Sequence, residues 1–153
     1  HLSIRRQRQM CIRDSPYATY YVQRREFEFA MGIGSASYVQ ADIQILEEFS
    51  KVIWLEDDHG FIDNYIEYQL TGAHSKFHQV FFIKEENEII FFGGDDAPQL
   101  QQMKSRFIAK YDFDGKKCME LRRAWWEAGQ EKGWKYLFYH DISSPVFYHS
   151  ILA

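Results

Sequence analysis

Gln79-Val80-Phe81-Phe82-Ile83-Lys84 and Glu88-Ile89-Ile90-Phe91-Phe92, with Glu85-Glu86-Asn87 between them and Gly93-Gly94 behind, decide the fold class of this chain. Both runs are short and rich in β-branched and aromatic residues, which suit a pleated, half-buried surface. Polar turn formers bound them. The pair predicts a β-hairpin.

Downstream, Pro98 to Lys104 carries Leu100 and Met103 at helical spacing and predicts a short helix. Arg106 to Tyr111 reads as a third strand, and Asp112 to Gly115 as a turn. Lys117 to Lys132 is the clearest helix, with Cys118, Leu121, Trp125 and Ala128 on one face and Gly133 as its stop. Trp134 to His140 reads as a fourth sheet strand, and Pro145 to Leu152 as the start of a last helix.

Upstream, Tyr20 to Met31 alternates as a strand does, although polarity changes face midway. Asp42 caps an expected first helix whose stripe includes Ile45, Leu46, Phe49, Val52 and Ile53. A second helix is expected over Ile62, Tyr65, Ile66 and Leu70, stopped by Gly72. The order is strand, two helices, three strands, helix, strand, helix. It predicts an α+β (α/β) domain with a mixed, mostly antiparallel central sheet flanked by helices. Arg106 to Tyr139 would supply one right-handed parallel crossover.

The N-terminal segment reads differently. Arg5-Arg6-Gln7-Arg8-Gln9-Met10-Cys11-Ile12-Arg13-Asp14-Ser15 can be written in codons as one DNA string resembling a sequencing-library adapter, and His1 to Ile4 resembles its flanking primer end. Residues 1–15 are therefore set apart from fold reasoning. The domain is expected over 16–153, as a metagenomic fragment incomplete at one or both ends. Without that segment the formal charge moves from −4 to −7, because Arg5, Arg6, Arg8, Arg13 and Asp14 leave.

This acidic balance argues against nucleic acid as a partner. With Cys11 set aside, Cys118 has no disulfide partner, so a reducing, cytoplasmic compartment is expected. No apolar run approaches the roughly 20 residues of a membrane span, so no membrane partner is expected. Aromatic residues at 18% indicate a packed domain rather than a disordered chain.

The element order resembles the GNAT superfamily of N-acetyltransferases. Asp42 to Phe49 is similar to that family's first helix, Val80 to Gly93 to its central hairpin, and Trp125 to Leu137 to the end of its cofactor helix and the next strand. The resemblance covers about Tyr38 to Ala153. It implies acetyl-CoA as cofactor and transfer of an acetyl group to a small-molecule or peptide amine. The family's pyrophosphate loop falls on Phe113 to Cys118, where Gly115 alone matches and Lys116 and Lys117 would supply cations. Gly115, Lys116, Lys117 and Cys118 are thus the implied cofactor site. Tyr148 is the implied acid for the leaving thiolate. Glu56, with Asp57 or His59 as alternatives, is the implied base. A second reading is a non-catalytic binding or structural module, viral in one form, with a degenerate acetyltransferase-like fold. A sheet closed between Phe107 and Leu137 would favour it.

Other chemistry-bearing residues stand singly. His74 and His78 are four apart, a metal-binding spacing on a helix, but they follow a stop and precede a strand, with no third ligand at fixed spacing. Asp95-Asp96 after Gly93-Gly94 reads as a turn. His140-Asp141 lies at a strand end, where α/β proteins place chemistry, and reads most simply as a polar loop. No metal is assigned.

Overall fold

A computed structural model describes residues 15, 17–33, 38–86 and 88–149. The expectation concerning residues 1–15 therefore falls, apart from Ser15, outside the described residues. The chain divides into two compact units, His1–Glu56 and Asp57–Ala153.

In the first unit, strand β1 (Tyr20–Gln23) runs directly into helix α1 (Arg24–Ile33). The expected strand to Met31 is corrected at that point. Gln23, Phe27 and Ala30 are the buried positions, a helical spacing, and Arg24 pairs with Glu28 one turn on. The change of face in the alternation marks the strand-to-helix junction. Two short turns of helix follow, α2 (Gln40–Ile43) and α3 (Ile45–Glu48). The apolar stripe then leaves the helix altogether: Val52–Leu55 is strand β2, parallel to β1 with Tyr20 opposite Val52. Phe27 packs on Trp54, with ring centroids 4.9 Å apart.

The second unit is a six-stranded sheet in the order β3-β4-β5-β6-β7-β8. The expected second helix is instead the hairpin β3 (His59–Ile62) and β4 (Ile66–Leu70), paired antiparallel. Asp63 and Asn64 both adopt positive φ, 51° and 64°. Such residues tolerate the left-handed region and turn a chain tightly. The hairpin β5 (Gln79–Glu85) and β6 (Glu88–Phe92) stands where the sequence places it.

Helix α4 (Leu100–Lys104) and helix α5 (Gly115–Lys132) are likewise as expected, and Gly133 ends α5 at φ 67° with its N–H on the Gly129 carbonyl. Residues 106–111 form no strand; Phe107, Ile108 and Tyr111 are exposed. The parallel crossover therefore starts from β6. It passes through α5 to β7 (Lys135–Leu137), with Phe91 opposite Tyr136. The segment expected as a last helix is edge strand β8 (Val146–Tyr148), antiparallel to β7. Val-Phe-Tyr favours that role. Ser150 to Ala153 lie outside the described residues.

One row crosses the whole sheet: Phe61, Glu67, Phe82, Phe91, Tyr136 and Phe147 sit opposite one another in successive pairs. Phe82, Phe91 and Tyr136 of this row, with Val80, Met103, Trp125, Trp134 and Phe138, form the core between sheet and helices. Glu67 is the one charge in the row. Burial alone would raise its carboxyl, but hydrogen bonds from Lys84, Gln69 and His59 and the charge of Lys84 outweigh that and lower it to about 2. The chain is thus α+β, with a mostly antiparallel sheet. No helix among the described residues is long and apolar enough to cross a membrane.

Candidate functional site

Strand direction creates the site. β4 and β6 are each antiparallel to β5, and β7 is parallel to β6, so these three strands run the same way. Their C-terminal ends open at one edge of the sheet, the edge that serves ligand binding in open α/β sheets. The loop after β4 carries His74 and His78. The turn after β6, Gly94–Asp96, carries Asp95 and Asp96. The loop after β7 carries Tyr139, His140 and Asp141.

Asp95 is the meeting point. Its Oδ2 lies 3.8 Å from His74 Nε2, and its Oδ1 lies 3.6 Å from His140 Nε2. Tyr139 donates its hydroxyl to Asp95 Oδ1. His74 Nδ1 is 3.0 Å from Asp112 Oδ1, while Asp112 Oδ2 accepts the Ala109 N–H at 2.9 Å. A carboxylate can only accept, so Nδ1 of His74 donates to Asp112, and Nε2 is the nitrogen that faces Asp95.

A second, buried layer holds these groups in place. Asp96 is fully buried and accepts the backbone N–H of His74 at 2.7 Å. The Asp95 N–H donates to His78 Nε2 at 3.1 Å. His78 Nδ1 lies 3.1 Å from Asp96 Oδ2, close enough to pair electrostatically although off the line of a hydrogen bond. Burial would raise the Asp96 carboxyl. Its contacts with His78, Thr71 and the His74 amide outweigh that and lower it, so it stays ionised. Gly94, at φ 53°, is required here, because a Cβ would stand 2.9 Å from the His78 ring.

Among the described residues no group of three or more His, Cys, Asp or Glu side chains is arranged to hold a metal ion by itself. Of the two spacings about Asp95, the 3.6 Å to His140 falls at the limit of a coordination separation and the 3.8 Å to His74 lies just outside it; both are too long for a hydrogen bond. Ligands around tetrahedral zinc, each about 2.0–2.2 Å from the ion, stand roughly 3.3–3.6 Å from one another. Asp95 with an imidazole on each side is a partial donor set of borderline-soft chemistry.

Of the sequence-predicted site residues, Cys118 reaches this cluster, through Asp96. Glu56, in the first unit, accepts a 2.6 Å hydrogen bond from Arg24 Nε and is exposed. His59 pairs with Glu67. Tyr148 is on β8, 64% exposed, rather than in a helix. Gly115 packs under Ile108. Lys116 pairs with Glu120. The Lys117 N–H is taken by the Asp114 carboxylate, which caps α5. Cys118 is buried with its thiol on Asp96. His74, Asp95 and His140 were each visible in the sequence as separate polar positions. Only the common direction of β4, β6 and β7 assembles them.

No protein-family model and no curated protein matches the chain. Solved structures do. A probable metal-dependent hydrolase from Staphylococcus aureus superposes with a TM-score of 0.67 at 19% identity, covering 87% of this chain and 52% of its own. AidC, a dizinc quorum-quenching lactonase in complex with a product, gives 0.67 at 15%, covering 90% and 53%. The hydrolase AbOPH of the β-lactamase superfamily gives 0.61 at 22%, covering 90% and 53%. The likeness is one of fold. The chain spans about half the length of these structures.

These neighbours overturn the acetyltransferase reading. The GNAT resemblance rested on the order strand, two helices, three strands, helix, strand, helix, yet two of the expected helices, over Ile62 to Leu70 and from Pro145, contain strands instead. Transfer of an acetyl group to an amine and acetyl-CoA as cofactor fall with it, because metal-dependent hydrolases share this fold. The module with a degenerate acetyltransferase-like fold falls for the same reason. The question of a sheet closed between Phe107 and Leu137 has no object, since Phe107 lies in no strand and β7 pairs with β6.

Proposed function

We propose that this chain supplies part of the metal centre of a hydrolase, with His74, Asp95 and His140 as donors. The observation that carries the reading is the delivery of one carboxylate and two flanking imidazoles, 3.6 and 3.8 Å from it, by three parallel-running strand ends. A fold shared with metal-dependent hydrolases supports it. The remaining donors would come from beyond the described residues.

Each neighbour has a role in this reading. Asp112 fixes the His74 tautomer and ring, the carboxylate–histidine arrangement typical behind a metal ligand. Tyr139 orients Asp95. Asp96 and His78 tie the backbones of His74 and Asp95 together. A divalent ion bound there would supply an activated water at neutral pH and polarise a carbonyl. The proposed reaction is hydrolysis of an ester-type bond, with lactones the first substrates to try.

Zinc titration of the full chain tests the donors, followed by calorimetry and by the imidazole resonances of His74 and His140. The expected result is one saturable site that shifts both rings, weakened at least about tenfold in Asp95→Asn and in His140→Ala. Zinc binding that is absent, or unchanged in both variants, overturns the reading.

A further inference from the structure

We infer that Arg122 is an anion-recognition residue of this site, placed to pair with a carboxylate of the substrate or product. The inference rests on the hydrolase reading and adds a substrate class to it. Arg122 lies on the buried face of α5 with Cys118, Trp125 and Gly129, and is only 2% exposed. It donates through a terminal nitrogen to the Phe107 carbonyl, and its guanidinium faces the Phe107 ring at 5.9 Å. Its Nε is buried without a hydrogen-bond partner among the described residues. No carboxylate among them stands within ion-pair distance of it.

An unpaired buried guanidinium is costly, and natural proteins pair such charges. The acidic groups nearby are committed. Asp112 serves His74 and the Ala109 amide, and Asp95 serves Tyr139 and the two imidazoles. The missing counterion is therefore supplied by what enters the cavity. Arg122 lines a cavity of about 60 Å³ together with His74, Asp95 and His140. Since a water needs roughly 10–15 Å³ on this measure, the space holds a few waters or one carboxylate. Phe107 and Tyr111 on its wall suit the apolar body that would carry that group. A planar guanidinium matches a carboxylate with two parallel hydrogen bonds, which an ammonium cannot reproduce.

The test uses the full chain, metal-free, titrated with sodium acetate against sodium chloride at equal ionic strength. The readouts are the Arg122 Nε–Hε resonance in the parent and, in parent and variants alike, the ring resonances of His74 and His140, which line the same cavity. Acetate should move them saturably while chloride does not. Arg122→Lys, which keeps a buried cation, should weaken acetate binding roughly tenfold, and Arg122→Met should abolish it. A resonance that acetate does not move, or equal acetate binding in folded Arg122→Lys and parent, overturns the inference. Zinc titration of the same samples separates the two ideas. Zinc bound without acetate leaves the metal centre and removes the anion role. Acetate bound without zinc keeps the anion role and removes the metal centre.

Discussion

Gly129 sits in the middle of α5, where helix propensity and packing make opposite predictions. Replacing an exposed helical glycine by alanine stabilises a helix by about 1 kcal/mol. At Gly129 a Cβ would lie 1.6 Å from the Tyr136 hydroxyl and 2.5 Å from its Cζ. Tyr136 has nowhere to go. It is fully buried, stacked on Phe138 and edge-on to Phe91, and its hydroxyl donates to the Trp125 carbonyl at 3.0 Å. Moving the ring leaves a buried hydroxyl and carbonyl unpaired, about 1–3 kcal/mol, and overpacks the core by about another 1–3 kcal/mol. Gly129→Ala should therefore destabilise the fold by roughly 3 kcal/mol after the propensity gain. Urea denaturation followed by tryptophan fluorescence measures it. Tyr136→Phe removes the nearest atom, so the double variant should recover part of the loss and show coupling between the sites. A Gly129→Ala chain as stable as the parent would refute the packing argument.

Two further outcomes follow from buried groups. A folded-state carboxyl lowered from 4.5 to about 2 contributes stability that is full above pH 4.5 and lost as pH falls toward 2. Glu67 should supply roughly 3 kcal/mol in this way, so urea titrations of Glu67→Gln should show weaker stability at pH 7 and a flatter profile between those limits. An identical acid profile in parent and variant would count against the Glu67 network. Burial, aided by the charges of Asp96 and Asp112, pushes the Cys118 thiol well above its ordinary range. Iodoacetamide should therefore label Cys118 only after unfolding, as read by peptide mass mapping, and labelling of the native chain would contradict that burial.

Where the sequence was legible, the signal was local. The β5–β6 hairpin, α4, and α5 with its glycine stop carry their pattern and their terminators within a short span. The misread elements had competing local readings. Ile62 to Leu70 spaces its apolar residues as a helix would, but the positive φ of Asp63 and Asn64 folds it into a hairpin. Val52 and Ile53 continue a helical stripe, but their ladder partners, Tyr20 and Tyr21, lie far upstream. Residues 106–111 look like a strand, but β7 already takes the place beside β6.

The sequence by itself thus determined the α+β class, the hairpin and the long helix, because periodicity, turn chemistry and caps act between near neighbours. It also displayed His74, Asp95 and His140, each in a polar loop. That they face one another was decided only by tertiary structure. The parallel β6–β7 pairing and the common direction of β4, β6 and β7 are non-local choices, made by burying the row through Phe82, Phe91 and Tyr136 under α5. The same burial brings Arg122 to the cavity.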